Sequence, residues 1–176
     1  MPLLEVDNLC VTLNTRRGAV AAVRDVSFTL ERGATLGLIG ESGCGKSLTA
    51  LALMGLLPEN ARTSGSVRLH GQQLLNQSEA HWCQLRGNRM AMIFQEPMTA
   101  LNPVHPIGRQ VAEPLRRHKG LDARSARTEA LALLERVGIP RAAQRLGDFP
   151  HQFSGGQRQR IMIAMALACQ PDVLIA

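Results

Sequence analysis

An α/β fold is predicted by three features of the sequence. A short apolar run, Ala34 to Ile39, meets a glycine-rich octet that leads into the helix formers Leu48 to Met54, ended near Pro58. Such a run suits a strand buried on both faces. Val26, Phe28 and Leu30 alternate with Ser27, Thr29 and Glu31, the period of a half-buried strand. Further on, Ala126, Ala130, Leu133, Leu134 and Val137 recur at helical spacing behind Asp122, a good N-cap.

The octet is Gly40-Glu41-Ser42-Gly43-Cys44-Gly45-Lys46-Ser47. It fits G-x-x-x-x-G-K-[ST], a phosphate-binding loop, and its place between strand and helix is the context that pattern needs. A helix N-terminus offers unpaired N–H groups and a partial positive charge. Gly40, Gly43 and Gly45 let the backbone wrap a phosphate chain without Cβ clashes. Lys46 supplies a point charge for the terminal phosphates and the Ser47 hydroxyl a ligand for Mg²⁺. The bland alternative is a glycine-rich turn with an accidental Lys-Ser.

At 176 residues the chain suggests one domain or a domain and a fraction, and 45% hydrophobic residues can build a core. No run of about 18 apolar residues occurs, so no spanning helix is expected. The N-terminus lacks a basic stretch followed by an apolar one, so no secretory signal is expected. Cys10, Cys44, Cys83 and Cys169 show neither a C-x-x-C pair nor zinc spacing and read as reduced thiols of a cytosol. The net charge of +6 is compatible with nucleic acid or a membrane surface, but the basic residues are scattered along the chain, which favours solvated faces. Aromatics at 3%, with no Tyr, argue against a base-stacking platform.

In chain order, Leu4 to Leu13 has strand character and Arg32-Gly33 turns the chain toward the octet. Ser66 to His70, between Gly65 and Gly71, is a further strand, so an antiparallel flank is expected. Met90 to Phe94 is an apolar run suited to the central sheet. Gln95 to Pro106 has three prolines and no periodicity, a structured loop. Ile107, Val111 and Leu115 open a helical stretch, and Gly138 with Pro140 stops the helix begun at Asp122. After Phe153 a helix is expected to about Cys169, and Val173 to Ala176 begins a buried strand.

Two more motifs carry chemistry. Ser154-Gly155-Gly156-Gln157 has the spacing of a capping box. The same geometry exposes amides to a second anion, with the Ser hydroxyl and Gln amide as added donors. One chain rarely needs two such sites for itself, which suggests a nucleotide held by a partner. Gln95 follows the Met90 to Phe94 run, so it stands at the carboxyl edge of a strand, where ligands of α/β sheets lie. A Gln carbonyl there could coordinate Mg²⁺ or orient a water; alone, a solvated loop glutamine is the simpler reading.

Taken together, the octet, Ile93-Phe94-Gln95-Glu96-Pro97 and Ser154-Gly155-Gly156-Gln157-Arg158-Gln159-Arg160 resemble the ATP-binding subunit of an ABC transporter over essentially the whole chain. Met92 to Pro103 and Phe149 to Gln157 are similar to the dipeptide/oligopeptide/nickel importer branch. The resemblance implies a P-loop NTPase (RecA-like) core with an antiparallel β flank and a helical subdomain, incomplete at the C-terminus. Its parts would be a nucleotide-binding core over 1–96, a helical subdomain over 97–152, and the signature motif, a helix and the start of the Walker B strand over 153–176. It implies ATP and Mg²⁺ as cofactors, with Gly40 to Ser47 as Walker A and Gln95 linking Mg²⁺ and water to the membrane subunits. Ser154, Gly155, Gly156 and Gln157 would close on ATP of a second ATPase subunit or half, head to tail. Transmembrane permease subunits and, indirectly, an extracytoplasmic solute-binding protein would be the other partners, at the cytoplasmic face of the membrane, with no nucleic acid.

The sequence departs from that family in two places. No aromatic stands near Thr15 (Leu13, Asn14, Arg16 and Arg17 surround it) to stack on adenine, though an Arg could. The Walker B Asp and the catalytic Glu are expected after Ala176, so no catalytic base is assigned within this chain. The reading is an ATPase subunit driving uptake of peptides or related solutes in the intact protein, with this length of chain inactive. The alternative is a DNA-repair or chromosome-maintenance ATPase sharing Walker A and a signature-like motif.

Overall fold

The computed structural model describes residues 2–94 and 100–176 and separates the chain into two units, 1–83 and 84–176. The first is built on an antiparallel sheet in the order β2-β1-β3-β4: β1 is Leu4–Thr15, β2 Gly18–Leu30, β3 Ala61–Leu69 and β4 Gln72–Gln73. The register pairs Val6 with Phe28 on one side and with Val67 on the other. Leu4, Val6, Leu9, Val11, Val67 and Leu69 are buried, as the predicted antiparallel flank requires.

Helix α1, Lys46–Leu53, packs on β1 and β2 and buries Thr49, Ala52 and Leu53. It ends ahead of Pro58, where Gly55 takes a left-handed φ of 61° beneath the Trp82 indole; a Cβ there would collide with the ring. Trp82 belongs to α2, Glu79–Leu85, a helix too short and weakly patterned to be read from sequence.

The predicted strand Ala34 to Ile39 is not formed. Residues 34–40 have no regular structure, with Leu36 44%, Leu38 45% and Ile39 99% exposed. An apolar run states a preference for burial, but a strand also needs a ladder, and this run finds no strand partner among the described residues.

The second unit has a small parallel sheet of β5, Met90–Met92, and β6, Val173–Ile175, in the register Met90 to Val173. Of the Met90 to Phe94 run expected in the central sheet, Met90–Met92 forms a strand, in this two-stranded parallel sheet. Val173 is buried but Leu174 is 41% exposed, because β6 is laddered on one edge only among the described residues. Around it stand α3, Ile107–Lys119, α4, Ala123–Arg136, the short α5, Ala142–Arg145, and α6, Gly155–Leu167. Their inward faces form one core that includes Ile107, Val111, Leu115, Leu134 and Ile161. Asp122 caps α4 as predicted, accepting from the amides of Arg124 and Ser125. Gly138 turns left-handed just past α4's end.

One buried polar side chain organises the entry to α3. Gln110, 6% exposed, accepts from the Asn102 amide at 2.9 Å and donates to the carbonyls of Asn102 and His105 at 2.9 and 2.8 Å. Every polar atom of the amide group is thus used to shape the turn that starts the helix.

Candidate functional site

The glycine-rich loop is exposed from Gly40 to Cys44 and closes onto α1 through backbone conformations that glycine allows. Gly43 and Gly45 have φ of 83° and 95°. Gly45 is also pressed against β2: a Cβ would lie 2.7 Å from the Ala22 carbonyl oxygen and 3.1 Å from a Val23 methyl. Gly45 is the N-cap of α1, no side chain caps the helix, and its first turn has no carboxylate. The helix therefore begins with open amides and positive potential, which is the condition for binding an anion.

Lys46 folds back over the loop. Its Nζ donates to the carbonyls of Gly40 at 2.6 Å and Glu41 at 2.7 Å and lies 3.5 Å from Cys44 Sγ. The ammonium thus ties the start of the octet to the helix. The Cys44 side chain lies over Gly40, leaving no room for a Cβ there. Ser42 sits in the exposed turn, and Ser47 is exposed on the first turn of α1. So the structure brings Gly40, Glu41, Cys44, Gly45 and Lys46 into one cradle, with Ser42, Gly43 and Ser47 around its open side.

Sequence reasoning missed Thr49. It is 4% exposed, and its hydroxyl donates to the Gly45 carbonyl at 3.0 Å, reinforcing the Thr49 amide bond to the same oxygen at 2.8 Å. A Thr four residues after a helix-capping Gly is the signal that could have found it.

The second motif lies in the other unit. Ser154 caps α6: its Oγ accepts from the Gln157 amide at 3.3 Å, and Gln157 Oε1 accepts from the Ser154 amide at 3.1 Å. This is the predicted capping box. Gly155 and Gly156 stand ahead of the first intrahelical bond, Arg158 amide to Ser154 carbonyl at 2.9 Å. Neither has positive φ, and a Cβ on either would meet nothing within 4 Å. The chain's own fold thus gives no reason for glycine at these two positions.

The supports behind this turn were not legible in the sequence. Arg145 lies 3.9 Å above the buried Phe153 ring, pairs with Asp148 at 2.9 Å and donates to the Gln152 carbonyl at 2.9 Å. Arg158 Nε donates to the Phe153 carbonyl at 2.9 Å, and Arg160 to that of Gly138 at 2.8 Å. Gln95 lies outside the described residues. Among the described residues no cluster of three or more His, Cys, Asp or Glu could hold a metal, and no helix is long and apolar enough to cross a membrane.

Comparison with known proteins agrees with this geometry. The family model described as ABC transporter matches residues 23–176. The chain is 51% identical over 175 residues to an oligopeptide transport ATP-binding protein of Haemophilus influenzae, covering 99% of this chain and 54% of that protein. It is 50% identical over 176 residues to a dipeptide transport ATP-binding protein of Bacillus subtilis, covering 99% of this chain and 52% of that protein. The chain spans about half the length of the curated relatives it matches. In fold it is similar to the ATP-binding cassette MJ0796 solved as a dimer with ADP and Pi, with a TM-score of 0.84, 24% identity, and coverage of 97% of this chain and 72% of that one. The chain belongs to the ABC transporter family.

Proposed function

We propose that this chain is the nucleotide-binding part of an ATPase subunit that drives peptide import. The observation that carries it is the Lys46 ammonium drawn onto the Gly40 and Glu41 carbonyls at the open N-terminus of α1. That cradle presents amides and one cation to a triphosphate and leaves its mouth exposed. The peptide class is supported by the relatives, which are oligopeptide and dipeptide transport proteins. Those relatives also make the DNA-repair or chromosome-maintenance alternative the less favoured reading.

In this reading Gly40 to Ser47 wraps the phosphates. The exposed Ser47 hydroxyl, together with Gln95, would hold Mg²⁺. The metal would draw charge from the β- and γ-phosphate oxygens when bound. Ser154, Gly155, Gly156 and Gln157 would meet ATP bound by a second ATPase subunit or half; the open space over both glycines supports that role. The subunit would work at the cytoplasmic face of the membrane with permease subunits and, through them, an extracytoplasmic solute-binding protein. Walker A, the helical stretch and the signature would fall in 1–96, 97–152 and 153–176.

The test is uptake of a labelled dipeptide or oligopeptide by cells carrying the intact subunit. Lys46→Ala should abolish uptake at unchanged protein level. Undiminished uptake would contradict the assignment.

A further inference from the structure

The charge of the chain is divided unevenly between its units. Residues 1–83 hold seven Lys and Arg against seven Asp and Glu, whereas residues 84–176 hold thirteen against seven. The whole net charge of +6 therefore lies in the second unit. Five of its thirteen basic residues fall within residues 116–127, and the fold sets them on two adjoining helix ends. Arg116, Arg117 and Lys119 occupy the last turn of α3, and Arg124 and Arg127 the start of α4 just across the Gly120 turn. All five are exposed, and none is within ion-pair distance of a carboxylate among the described residues.

Helix stability explains three of these cations but not the other two. Positive side chains at the C-terminal end of α3 complement the helix dipole. Arg124 stands in the first turn of α4, where the dipole disfavours it, and Arg127 follows beyond that turn, so neither gains from the dipole. The one carboxylate of the turn, Asp122, is spent on capping, accepting from the Arg124 and Ser125 amides and the Ser125 hydroxyl. Among the described residues the Arg124 and Arg127 guanidinium groups have no ion-pair partner, which leaves them open to an external anion.

We propose that the α3–α4 turn is a docking surface for an anionic phospholipid bilayer. This rests on the reading of the chain as an importer subunit working at a membrane. The charges are divided between two exposed helix ends, which suits a surface carrying many phosphodiesters better than one anion in a cradle. Four of the five are arginine, the side chain matched to phosphate oxygens. Nothing between Ile107 and Arg136 is Phe, Tyr or Trp, so no base could stack there. The apolar face of α3 (Ile107, Val111, Leu115) is consumed by the core. Attachment is therefore electrostatic, without insertion into the bilayer, and sensitive to salt.

The experiment is co-sedimentation of the intact subunit with vesicles of phosphatidylglycerol and phosphatidylcholine in equal parts, and with phosphatidylcholine alone. The subunit should bind the anionic vesicles only and be released by about 0.5 M salt. Arg116→Gln/Arg117→Gln/Lys119→Gln should weaken binding at least about tenfold. Arg24→Gln/Arg62→Gln/Arg68→Gln removes the same charge from exposed positions of the first unit and should leave binding within about twofold. ATP affinity, read by calorimetry on the same proteins, should not change in the α3 variant. That readout separates failure of this surface from failure of the nucleotide site. Equal losses in the two triple variants, absence of binding to anionic vesicles, or stronger binding to a DNA duplex than to them would each overturn the proposal.

Discussion

Lys46 Nζ lies 2.6 Å from the carbonyl oxygen of Gly40, so the residue that would meet the terminal phosphates also closes the loop around them. Together with the Glu41 carbonyl at 2.7 Å, this contact fixes the ammonium at the mouth of the cradle. A phosphate entering there finds its cation already positioned, and less side-chain entropy is lost on binding.

The glycines of the signature turn should separate function from fold. In Gly156→Ala the new methyl enters open space within the chain, so thermal stability should hold or rise by up to about 1 kcal/mol. ATP-driven dimerisation of the intact subunit, followed by light scattering, should fall. Unchanged dimerisation would return the turn to a plain helix cap.

Gln110 should prove structural. Gln110→Leu leaves the Asn102 amide and the Asn102 and His105 carbonyls without their partner. Asn102 is exposed and His105 half-buried, so water can reach part of what is orphaned, and a loss of about 1–2 kcal/mol is expected in urea unfolding. A loss below about 0.5 kcal/mol would show that water or a shifted turn replaces the clamp.

The cysteines should report on the loop. Cys44 is exposed, whereas Cys169 is buried with its thiol donating to the Pro114 carbonyl at 3.4 Å, and burial pushes that thiol up from its usual value. A maleimide should label Cys44 well before Cys169, and Mg-ATP should slow the Cys44 reaction alone. Labelling of Cys44 indifferent to saturating nucleotide would mean that the ligand does not cover the loop.

Acid should weaken the second unit in two stages. Burial, then the neighbouring Arg117 and Lys119, holds His118 below its usual 6.5, against the opposing pull of a hydrogen bond with the Arg86 backbone. The folded chain then binds fewer protons there than the unfolded one, so stability drops as pH falls below about 6.5 and levels off under the lowered value. Hydrogen bonds from Ser125 and Arg124 hold Asp122 below 3.8; its contribution is present above that pH and lost as pH falls through the lowered value. His118→Gln should flatten the first stage of a urea-midpoint-against-pH curve and leave the second. An unchanged first stage would remove His118 as its source.

What could be read from the sequence was what local chemistry determines. Ser154 and Gln157 are three residues apart and cap each other, and Asp122 caps the helix beginning next to it, so spacing alone placed both. The antiparallel flank was legible because alternation marks which side of each strand is buried. Gln110 was not, since its partners are chosen by how the turn at 102–105 folds back rather than by a pattern. Arg145 over Phe153 is likewise a meeting of an α5 side chain with a residue eight positions on. Ala34 to Ile39 has the apolar character of a strand but no ladder partner among the described residues, and pattern alone does not show that. The octet itself was fully legible, but the inward turn of Lys46 and the support from Thr49 depend on how the loop folds back on α1, which spacing does not encode.

The central claim is that the loop from Gly40 to Ser47 holds a nucleotide, and calorimetric titration of Mg-ATP into the intact subunit and its Lys46→Ala variant tests it most directly. Removing one member of a partly desolvated charge pair typically costs about 2–5 kcal/mol, so affinity should fall by roughly 30- to 4,000-fold. Circular dichroism should show the same helix content in both, because Lys46 is the exposed-loop end of α1 and no part of either core. Equal ATP affinity in variant and parent would contradict the account.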